Sequence, residues 1–73
     1  MNATLDILIR LDITAFRAHC EREHGFGPSS DEVALVAMHK ARCERSDVPA
    51  ELRNESSCWL LKRGYYAGRR PVQ

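Results

Sequence analysis

Seventy-three residues with 44% hydrophobic and 29% charged side chains and a net charge of +1 describe one ordered domain and exclude a wholly disordered chain. The N-terminal apolar block, Ile7-Leu8-Ile9, lies between Asp6 and Arg10, too short for the core of a secretory signal, and no apolar run approaches the ~18 residues of a membrane span. The cysteines, Cys20, Cys43 and Cys58, are odd in number and make a poor disulfide framework, so free thiols and a cytoplasmic location are expected.

The first element is read as a helix over about residues 3–24. Leu5, Ile9, Ile13, Phe16 and Cys20 follow at spacings of 4, 4, 3 and 4, which places them on one helical face. The stretch LDIT at 11–14 is the exception. Asp12 could act as an N-cap and split the segment, and residues 1–12 are β-branched enough for a strand, but one bent helix is the preferred reading. Gly25 and Gly27 end it.

A second helix is expected over 31–45. Ser29-x-x-Glu32 forms a capping-box pattern, Asp31 and Glu32 suit the positive helix start, and Arg42 and Arg45 suit the negative end. Val33 to Met38 is apolar almost all round, which makes this the central helix. A third is expected over 49–63, with Ser46 or Asp47 as its cap and Pro49 in its first turn. Leu52, Ser56, Trp59, Leu60 and Arg63 share one face, with Trp59 expected in the core beside Leu52 and Leu60, and Gly64 stops it. The architecture expected is all-α: a three-helix bundle over residues 1–63 and a basic, tyrosine-containing tail over 64–73.

Cys20-x3-His24 and His39-x3-Cys43 have the i,i+4 spacing of metal ligands. In an antiparallel hairpin, however, His24 lies level with residue 31, and His39 is about 12 Å further along the second helix. No metal or other cofactor is expected, and these four residues are read first as core positions and their polar neighbours. Catalysis is not expected either. Cys20 with His24, and Ser29 or Ser30 at a helix start, are candidates, but none sits in a recognisable nucleophile turn and the chain has little bulk for a water-excluding pocket. The glycines of GFGPSS lack the lysine and preceding strand of a phosphate loop.

The charge is distributed unevenly. Lys62, Arg63, Arg69 and Arg70 give residues 62–73 a charge of +4 with no acid, against +1 for the whole chain. Interleaved with Tyr65 and Tyr66, they make a patch for an acidic partner. Tyr65 is expected to fold back over the core after Gly64, leaving Tyr66, Arg69 and Arg70, with Lys62 and Arg63 in support, as the partner-binding residues. Nucleic acid is the alternative partner. The second and third helices could then act as a helix-turn-helix presenting Glu51, Arg53, Asn54 and Glu55, with the basic tail tracking phosphates. Two carboxylates in that entry turn and four phosphate contacts make this the weaker case.

Residues 32–68 carry an apolar helix ending in MHKAR at 38–42. A short break then leads to PAELR-x-ES-x-x-WL-x-x-RGY from Pro49 to Tyr65. This arrangement resembles a pattern in short uncharacterised bacteriophage and prophage proteins. The resemblance implies a small accessory protein of a mobile element, acting in the host bacterial cytoplasm. Such proteins bind and block or redirect a host protein, including components of host defence, or regulate transcription. The small core adds a further reading, a homodimer.

Overall fold

The computed structural model describes residues 3–65. They form four helices: α1 (Ala3–Arg10), α2 (Ile13–His24), α3 (Asp31–Glu44) and α4 (Ala50–Lys62). All described regular structure is helical, as expected, but the first expected helix is two. Leu11 takes a left-handed backbone (φ 52) and the Asp12 N–H closes back on Ile7 O at 3.2 Å. This six-to-one bond is the Schellman closure of α1. Asp12 then caps α2, its side chain accepting from the Ala15 N–H at 3.1 Å. A leucine in this conformation costs ~1–2 kcal/mol. The break turns α1 so that Leu8, which lies off the expected stripe, is fully buried, while Ile9, which lies on it, is 38% exposed.

The other boundaries differ by one or two residues. Ser30, not Ser29, caps α3, accepting from the Val33 N–H at 3.2 Å. Pro49 occupies the N-cap of α4 with no side-chain cap. Asp47, expected as a cap, instead receives Arg45 Nε and Nη2 at 2.9 and 2.7 Å. That pairing holds the Asp47 carboxyl below its usual range. Gly25 (φ 82) ends α2, and Gly64 (φ 82) ends α4 with Tyr65 N–H returning to Leu60 O at 2.8 Å.

Helix α3 is central, packing on α1, α2 and most extensively on α4. The fully buried apolar residues among those described are Leu8, Ala34, Met38, Val48 and Leu60. Three polar residues, His39, Arg42 and Ser56, are buried with them. Ser56 and Leu60 fall on the inner face expected of α4, and Trp59 is half-buried beside them. No helix among the described residues is long and apolar enough to cross a membrane.

Candidate interaction surface

Arg42 joins three helices. Its Nε donates to Leu8 O at 2.7 Å and its Nη2 to Ile9 O at 2.8 Å, capturing carbonyls that the end of α1 leaves unpaired. Its Nη1 donates to Glu55 Oε1 at 3.1 Å and to Ser56 Oγ at 3.3 Å on α4. Arg42 can only donate, so Ser56 Oγ accepts from it. His39 Nδ1 lies 2.8 Å from the same oxygen, donating or accepting according to its tautomer. Burial, then the charge of Arg42, lowers its pKa, with Arg63 acting in the same sense and Glu55 opposing.

The His39 ring stacks on Trp59 at 4.2 Å between centroids, and the Arg63 guanidinium lies over Trp59 at 4.2 Å. The column His39–Trp59–Arg63 thus runs from the core to the surface. Of the residues expected to contact a partner, Lys62 and Arg63 are exposed at the end of α4, beside Tyr65. Tyr66, Arg69 and Arg70 lie outside the described residues. The Tyr65 ring lies 5.8 Å from Lys40 Nζ and, at 36% exposure, only partly covers the fold.

The four metal-like residues are divided between two places. His39 faces Ser56 and Trp59, and Cys43 Sγ donates to Arg53 O at 3.7 Å. Burial, then the Glu44 carboxylate, pushes the Cys43 thiol up, which keeps it protonated. Cys20 and His24 line a groove on α2. Among the described residues, no three or more His, Cys, Asp or Glu side chains are placed to share an ion. The entry turn of α4 is also partly committed: Glu55 holds Arg42, and Arg53 Nε donates to Val48 O at 3.1 Å. Only Glu51 and Asn54 of that set stand exposed without such a role, and they bring no positive charge to a phosphate backbone.

Two open apolar grooves run along the outer face of α3. One, of about 300 Å³, lies between Val36 and Tyr65 and has Glu32 and Lys40 on its walls. The other, of about 200 Å³, lies against Phe16, Cys20 and Phe26. Val33 and Ala37 line both, so they form the ridge between them. Phe26 is 72% exposed and Val33 46% exposed. The sequence signal for this surface was Val33 and Ala37 at i,i+4 with Val36 beside them, read as core because the whole run is apolar. The buried role of Arg42 was also missed, although Ala34, Met38 and Arg42 fall on one stripe at i, i+4 and i+8.

Comparison with protein-family models, curated proteins and solved structures gives no match.

Proposed function

We propose that this chain is a non-catalytic accessory protein of a bacteriophage or prophage that binds a host protein and occludes or redirects it. The observation that carries this reading is the end of α4. Lys62 and Arg63 are exposed there, and the Arg63 guanidinium lies over the Trp59 ring, with Tyr65 following in the chain. Aromatic side chains and arginine anchor protein interfaces, and a guanidinium already stacked loses less freedom on binding. Arg42 completes the buried network among the described residues, and Lys62 and Arg63 stand outside it. The resemblance over residues 32–68 points to the same class. Tyr66, Arg69 and Arg70 follow in the sequence and belong to the proposed contact set, and the mechanism is stoichiometric occlusion.

The first test is fluorescence anisotropy against random duplex and single-stranded DNA at low and physiological salt. The expected result is no binding at either. Binding that falls steeply with salt would replace this reading with a nucleic-acid regulator. Capture of a partner from bacterial lysate by the wild type, lost on Arg69→Ala with Arg70→Ala, is the positive arm. Equal capture by that double variant would remove the tail from the contact surface.

A further inference from the structure

We propose that the outer face of α3 is a two-fold interface between two copies of this chain, with Glu32 of each copy paired to Lys40 of the other across an axis at Val36. The occupant follows from the pattern of the face. Glu32, Val36 and Lys40 lie in one i,i+4 row, acid at one end, base at the other, and an apolar residue at the centre. Glu32 and Lys40 are about 12 Å apart along the axis at 1.5 Å per residue. Antiparallel packing about Val36 therefore superimposes opposite charges at both ends, whereas parallel packing opposes like charges. A surface complementary to itself in this way is what an isologous contact requires.

Shape agrees with charge. Val33 and Ala37 form a ridge, and the adjoining groove between Val36 and Tyr65 is apolar along its floor. Rows spaced by four residues pack ridge into groove between helices. The two-fold operation sets the Val33–Ala37 ridge of each copy into that groove of the other. The need for a second copy comes from the core. Among the described residues its fully buried apolar side chains are Leu8, Ala34, Met38, Val48 and Leu60, and it encloses Arg42, His39 and Ser56 as well. Small domains with so little apolar interior commonly gain stability by association. Val33 at 46% exposed, beside Phe26 at 72%, is the surface such association would cover.

Sedimentation equilibrium over micromolar to near-millimolar concentrations tests this. The wild type is expected to approach twice the 8.3 kDa chain mass. Val36→Glu, which buries two carboxylates at the axis, should be monomeric throughout. Glu32→Lys and Lys40→Glu each oppose like charges twice and should weaken association by about tenfold or more. The double variant E32K/K40E restores opposite pairing and should recover the wild-type association. Helical circular dichroism and denaturant midpoints at low concentration confirm that each variant is folded. A wild type that stays monomeric at the highest concentration overturns the proposal, as does a double variant no better than either single one. Tyr65 borders both surfaces, but the substituted residues Glu32, Val36 and Lys40 are distinct from Lys62, Arg63 and the tail arginines, so failure here leaves the reading of those basic residues untouched.

Discussion

Arg42 on α3 closes the C-terminus of α1 by donating to the Leu8 carbonyl at 2.7 Å, across thirty-four residues of sequence. A short helix of eight residues has little stability of its own. Its last carbonyls are held by Arg42 on one side and its last turn is closed by Asp12 on the other. The same guanidinium reaches Glu55 and Ser56 on α4, so one side chain fixes how three helices meet.

Removing Arg42 should therefore be the most damaging single change in the described chain. Arg42→Ala leaves Leu8 O and Ser56 Oγ without that partner in the interior and should cost about 3–5 kcal/mol. Glu55→Gln should cost less than about 1 kcal/mol, because the Glu55 side chain is 63% exposed and its pairing is screened. Urea denaturation followed by circular dichroism measures both. A loss at Arg42→Ala no larger than at Glu55→Gln would mean that water replaces the guanidinium.

Ser56 connects the two sides of the network and is fully buried. Ser56→Ala removes the acceptor of Arg42 Nη1 and the partner of His39 Nδ1, and should cost about 1–3 kcal/mol. In a double-mutant cycle with His39→Phe, which keeps a ring against Trp59, the two losses should fall short of additivity by at least about 0.5 kcal/mol. Strict additivity would mean that the 2.8 Å contact is energetically empty.

The all-α class, α3 as the central element and the inner face of α4 were legible because their apolar residues recur at helical spacing. The division of residues 3–24 at Asp12 was legible only as the alternative to one bent helix, because the stripe from Leu5 to Cys20 continues across Leu11 and Asp12. What decides the break is tertiary: Leu8 enters the core only if α1 turns, and Arg42 then takes the carbonyls that the turn frees. Arg42 itself was read as a helix-end charge suited to the dipole, since sequence gives a basic residue a surface role unless a buried acceptor is in view. The groove on α3 was hidden for the opposite reason. Its apolar residues were assigned to a core too small to use them.

At the end of α2, Gly25 adopts φ 82 with nothing within 4 Å of where a Cβ would stand. Substitution there meets no clash, so its cost is conformational alone. Gly25→Ala should destabilise the fold by about 1 kcal/mol. Gly25→Asn should cost less, since asparagine tolerates the left-handed region. Equal midpoints for glycine and alanine would show that the chain leaves α2 by another route.

His39 gives the fold a dependence on pH whose sign follows from its surroundings. Burial, then Arg42, lowers its pKa in the folded state from 6.5. The unfolded chain thus binds a proton that the folded chain refuses. The contribution to stability is complete above about pH 6.5 and is lost as pH falls below that value towards and through the folded pKa. Arg42 on α3 and Arg63 after α4 disfavour the imidazolium, and Glu55 on α4 offsets them only in part. In the imidazolium Nδ1 carries a hydrogen, so Ser56 Oγ accepts from both His39 and Arg42 in that state. Urea midpoints measured from pH 8 down to pH 5 should fall over the lower part of that range. The fall should be smaller in His39→Phe, which has nothing to protonate at this position. An unchanged slope in that variant would assign the dependence to other groups and leave His39 solvated enough to titrate freely.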